Sequence, residues 1–71
     1  MRIRINTGSE AKRFAEIAAK IPGKVVIKDR NGLCVNAKSV LGVLHAIEFD
    51  ELYCESENEI YAQIRDFVIE D

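Results

Sequence analysis

Ser39 heads a short apolar run, Val40-Leu41-Gly42-Val43-Leu44, and its hydroxyl stands where a helix N-cap should stand. Val40, Leu41, Val43, Leu44 and Ile47 recur at helical spacing behind it. Lys38 precedes the serine, and no acidic residue follows in the first turn. Free amides and the helix dipole favour negative charge at such a start, so it would suit an added phosphate. Two roles for Ser39 follow, a plain cap and a phosphoacceptor. They are compatible, because a capping hydroxyl is exposed beside unpaired amides.

The other residues able to do chemistry are scattered. Glu10 lies at the start of an earlier helical stretch, with Lys12 and Arg13 just after it. Either Ser9 caps that helix and Glu10 is a favourable first-turn acid, or Glu10 has a role of its own. His45, the sole histidine, falls near the end of the Ser39 helix, where it offsets the helix dipole or lies at the surface. Cys34 and Cys54 sit in separate strand-like segments with neither metal-ligand spacing nor a redox motif. They read as two plain thiols filling small apolar spaces, with one disulfide as the alternative. Tyr53 and Tyr61 read as amphipathic surface or core residues.

The elements that must position these groups follow from periodicity. Arg2-Ile3-Arg4-Ile5-Asn6 alternates charge and isoleucine, as a strand with one buried face does. Ala11, Phe14, Ala15, Ala18 and Ile21 fall at helical spacing, and Pro22-Gly23 ends that helix. Lys24–Lys28 and Leu33–Ala37 read as strands joined through Asp29-Arg30-Asn31-Gly32, whose Asn-Gly dipeptide favours a tight hairpin turn. The Ser39 helix runs to about Ile47, and Asp50–Glu55 supplies a fourth strand. Ser56-Glu57-Asn58-Glu59 has the form of a capping box for a last helix carrying Ile60, Ile64, Phe67 and Val68 on one stripe. The order is βαββαβα, an α+β class with the helices packed on one face of a single sheet.

At 71 residues the chain predicts one domain, 1–71. Its 48% hydrophobic and 31% charged residues are ordinary for a soluble globular domain. A net charge of -2 and a pI near 5.4 argue against a nucleic-acid partner. No apolar run approaches a membrane span and no signal peptide is evident, so a cytoplasmic location is expected. No residue set calls for a metal or a cofactor.

The run Asn36-Ala37-Lys38-Ser39-Val40-Leu41-Gly42-Val43-Leu44, together with the order of elements, resembles the HPr family. These are the small phosphocarrier proteins of the bacterial sugar phosphotransferase system. The resemblance spans essentially the whole chain, in kind over those nine residues and in pattern elsewhere. It implies an open-faced β-sandwich, a four-stranded antiparallel sheet with three helices over one side. The family's carrier motif, Gly-x-His-Ala-Arg-Pro-Ala, falls on Gly8-Ser9-Glu10-Ala11-Lys12-Arg13-Phe14. Gly8 and Ala11 match. Glu10 stands at the histidine position, Lys12 replaces the arginine that would hold the phosphate, and Arg13 replaces the proline.

Relay through this family needs an imidazole nitrogen at that helix start, so no catalytic residue is assigned. Gly8, Glu10 and Lys12 are read as remnants of a phosphate site. Glu10 could imitate a phosphorylated histidine, held by the helix dipole and by Lys12 or Arg13. The resemblance extends to the catabolite-repression HPr paralogues, which lack the carrier histidine and keep the regulatory serine. It implies that an HPr kinase/phosphorylase modifies Ser39 with ATP, and that the product docks on a transcriptional regulator or a metabolic enzyme. Lys38, Val40, Leu41, Val43 and Leu44 would form the docking patch, or be core. The expected function is therefore regulatory and non-enzymatic. Two alternatives are a phosphocarrier in phosphoenolpyruvate-dependent sugar uptake that uses Glu10 or His45, and a degenerate protein-binding domain.

Overall fold

Alternation decides the sheet. Val25 and Ile27 are buried where Val26 and Lys28 are half-buried, and Leu52 and Cys54 are buried where Tyr53 and Glu55 are more open. Residues two apart share one face of a strand, so each strand contributes one apolar face. The computed structural model describes residues 1–70. Its order is β1 (Arg2–Ile3), α1 (Gly8–Ala19), β2 (Val25–Lys28), β3 (Cys34–Asn36), α2 (Val40–Ala46), β4 (Leu52–Ser56) and α3 (Tyr61–Ile64), with a 3-10 turn over Arg65–Phe67. The four strands form one antiparallel sheet in the order β1-β4-β2-β3.

Ile3, Val25, Ile27, Leu52 and Cys54 from the sheet share one buried cluster with Ala11, Phe14, Ala15 and Ala18 of α1. Val43 and Ala46 of α2, then Ile60, Ile64 and Phe67, complete it. The helices thus cover one sheet face. Across the other face runs the row Arg2, Tyr53, Lys28, Cys34, one residue from each strand. This is the α+β, open-sheet architecture that the pattern predicts.

Four local expectations are corrected. The β2–β3 hairpin is present, but its turn is a three-residue loop closed between Asp29 and Leu33. A type I′ Asn-Gly turn needs positive φ at both central residues, and only Gly32 has it, at 93°. The buried Asp29 carboxylate organises the loop instead, accepting from the amides of Asn31 and Leu33 at 2.8 Å each. The cap of α1 is Thr7, not Ser9, so the helix begins earlier than the apolar periodicity implies.

The capping box at Ser56 does not form, because Ser56 stays in β4 opposite Val25. Glu57 and Asn58 reach across to the Lys24 amide (3.4 Å) and the Pro22 carbonyl (2.8 Å). These tertiary bonds displace the local box, and α3 starts without a side-chain cap. The last helix is also shorter than its apolar stripe suggests. Ile60, Ile64 and Phe67 are buried as expected. Val68 leaves the helix to bridge Ile3, which gives the outer edge of β1 a backbone partner.

Candidate functional site

The Ser39 region is built from the end of β3. The Asn36 side chain accepts from the Lys38 amide at 2.9 Å, and its carbonyl accepts from the Ser39 amide at 3.1 Å. This double turn throws Ser39 into extended geometry as the N-cap of α2. Its Oγ accepts from the Gly42 amide at 3.2 Å. Gly42 is required by close approach, since a Cβ there would lie 2.9 Å from the Asn36 carbonyl oxygen. The role of Asn36 escapes a reading of the sequence, although Asn-x-Lys is a readable Asx turn.

The helix behind Ser39 divides between core and solvent. Leu41 is 79% exposed, with Val40 and Leu44 near 39% and 38%. Val43 is fully buried, which removes it from the expected docking patch. A helix of period 3.6 turns some of these four apolar positions inward, and here it is Val43 that enters the buried core. Lys38 is half-buried, and its Nζ donates to the Ile21 carbonyl at 2.6 Å. Its charge therefore serves the end of the α1 segment, as a cation near a helix C-terminus does.

The start of α1 lies beside this patch, and a Cβ built on Gly8 would touch Leu44 Cδ2 at 3.6 Å. Here Thr7 and Glu10 form a reciprocal capping box. The Thr7 hydroxyl accepts from the Glu10 amide at 3.1 Å. Glu10 Oε1 accepts from the amides of Thr7 (3.2 Å) and Asn6 (3.0 Å). Glu10 is thus turned back onto the backbone, and neither Lys12 nor Arg13 holds it. Arg13 pairs with Asp66 at 3.0 Å and lies 4.8 Å from the centre of the Phe67 ring. Lys12 is exposed and has no ion pair among the described residues. Of the residues assigned to a phosphate site, Glu10 is thus engaged with backbone amides and Gly8 lies beside Leu44.

The remaining candidates lie elsewhere. His45 is exposed in the last turn of α2, edge-on to Phe49 with ring centres 5.9 Å apart. Both thiols are free. Cys54 is buried, and that burial pushes its thiol up to about 11. Cys34 is exposed on the opposite sheet face, so it fills no apolar space and cannot pair with Cys54.

The open face also carries an ionic network that the sequence did not suggest. Lys28 and Glu55 pair at 2.9 Å, which raises the lysine pKa and lowers that of the glutamate. The Tyr53 hydroxyl donates to Glu51 at 2.5 Å, lowering the carboxyl pKa and raising that of the phenol. Among the described residues no cluster of His, Cys, Asp or Glu could hold a metal ion, and no helix is long and apolar enough to cross a membrane. No family model, no curated protein and no solved structure matches this chain.

Proposed function

We propose that this chain is an HPr-like regulatory domain of a phosphotransferase system, acting in the cytoplasm by docking rather than by phosphorelay. Ser39 is its phosphoacceptor, modified by an HPr kinase/phosphorylase with ATP. The single observation that supports this reading is the pairing of a capping serine with an apolar helix face left open, Leu41 being 79% exposed. Phosphorylation would add about -1.5 to -2 charges at the edge of that face. Lys38 is engaged with the Ile21 carbonyl, so a partner's cations are the natural counter-charge. A transcriptional regulator or a metabolic enzyme with an apolar groove beside an arginine cluster fits this chemistry. The carrier alternative is the weaker reading, because Glu10 is turned back onto the amides of Asn6 and Thr7, and conversion to an acyl phosphate would replace that charged acceptor with a weaker carbonyl.

The test is incubation with an HPr kinase/phosphorylase and ATP, followed by intact-mass measurement. The parent chain gains one phosphate and Ser39→Ala gains none. A parent chain that stays unmodified while a control HPr is labelled overturns the proposal. Binding of a partner in that unmodified state would favour the degenerate docking domain instead.

A further inference from the structure

The two outer edges of the sheet are finished differently. β3 ends the sheet on one side with no strand beyond it. Along β1 the chain's own C-terminal segment adds a short extra strand. The Arg4 amide donates to the Phe67 carbonyl at 2.8 Å, the Ile69 amide to the Arg2 carbonyl at 2.9 Å, and Val68 bridges Ile3.

Buried Phe67 anchors this segment, with half-buried Val68 packed against the core beside it. Phe67 packs edge-on against Phe14, with ring centres 5.0 Å apart. The outer fasteners are the Arg13–Asp66 pair and a contact between the Tyr61 hydroxyl and Glu70. Arg13 and Asp66 have side chains 54% and 75% exposed, so solvent screens their attraction and they hold the segment weakly. Upstream lies a single α-helical turn without a side-chain cap, then a 3-10 turn. Ile60 and Ile64 are buried in the core cluster and seat that α-helical turn ahead of the C-terminal segment.

We propose that residues 65–70 form a strap that opens as one unit from the outer edge of β1, pivoting after Ile64 while the rest of the fold stays intact. Opening gives up the packing of Phe67 and Val68 on the core, the exposed contacts of Arg13 and Tyr61 with the segment and two edge hydrogen bonds in exchange for chain entropy, and it disturbs no other ladder. It leaves the Arg4 amide and the Arg2 carbonyl unpaired, the two groups through which an extended strand can add to a sheet. The strap thereby gates the one edge of this sheet that the molecule covers itself.

Residue-resolved native-state hydrogen exchange on the full chain tests this. The amides of Arg4 and Ile69 should exchange through one common opening, at least about tenfold faster than those of Cys54 and Ala37. Cys54 bonds the Met1 carbonyl on the inner side of β1, and Ala37 bonds the Val25 carbonyl near the far edge. Phe67→Ala should accelerate Arg4 and Ile69 further and leave Ala37 unchanged. Asp66→Asn should do the same to a smaller extent. Equal rates at all four amides in the parent chain would overturn the proposal, as would Cys54 exchanging together with Arg4 or Arg4 and Ile69 opening separately. The parent-chain measurement decides even if Phe67→Ala does not fold.

Discussion

The chain builds two helix starts side by side and finishes them in opposite ways. At α1 the Thr7 hydroxyl accepts from the Glu10 amide, Glu10 accepts from the amides of Asn6 and Thr7, and its carboxylate already occupies the positive end of the helix. At α2, Ser39 alone caps, and no acidic residue lies in the first turn. The first start carries a carboxylate and the second carries none. Glu10 serves as part of a structural cap, and under the proposed function the start of α2 is the one that an added phosphate would use.

The backbone separates the two starts further and supplies the largest expected effect. Gly42→Ala would drive a Cβ to 2.9 Å from a carbonyl oxygen, and backbone cannot move aside as a side chain can. A cost of roughly 2–3 kcal/mol in urea denaturation is expected, in the range of overpacking strain. Gly8→Ala places its Cβ in ordinary contact with Leu44, and alanine favours the helix, so stability should change by less than about 0.5 kcal/mol. Equal costs would mean that the Asn36 turn yields, and that α2 is no more tightly seated than α1.

A second contrast lies within α2 itself. Val43→Ala empties part of the core and should cost roughly 2 kcal/mol. Leu41→Ala removes a side chain that is 79% exposed and should leave stability within about 0.5 kcal/mol. The same Leu41→Ala change should weaken partner binding if the exposed face is the docking surface. Titration calorimetry against a captured partner reads that separately from denaturation. A Leu41→Ala chain that binds normally would detach the apolar face from the function.

What the sequence disclosed obeys the same division. Periods of 2 and 3.6 are set by burial, so Ile3, Phe14, Ile27, Ile64 and the antiparallel sheet could be read from pattern alone. Caps were less legible, and the two Ser/Thr-x-x-Glu tetrads explain why. Thr7-Gly8-Ser9-Glu10 forms a capping box, while Ser56-Glu57-Asn58-Glu59, equally suited by sequence, does not. The second tetrad lies within reach of the Pro22–Lys24 turn, and that long-range partner decides the outcome. At the candidate site Ser39 was legible as a cap because capping is local. The inward turn of Val43 was not, since four neighbouring apolar residues do not say which of them enters the core. Nor was the commitment of Lys38 to Ile21, a contact seventeen residues away in sequence.

The smallest expected effect bears most directly on the comparison. Replacing Ser39 with aspartate keeps a good cap and adds a charge where none exists. Ser39→Asp should therefore raise stability by about 0.3–1 kcal/mol at low ionic strength. Ser9→Asp places the same charge one residue before Glu10, where the helix end already has its acid. Repulsion between the two carboxylates should cancel the dipole gain and leave stability within about 0.3 kcal/mol of the parent. The Ser39→Asp gain should fade towards 1 M salt, where the Debye length falls to about 3 Å. A gain that survives high salt would come from cap geometry rather than charge. If the two aspartates instead have equal effects at low salt, the start of α2 is no more open to negative charge than the start of α1, and nothing electrostatic then favours Ser39 over Glu10.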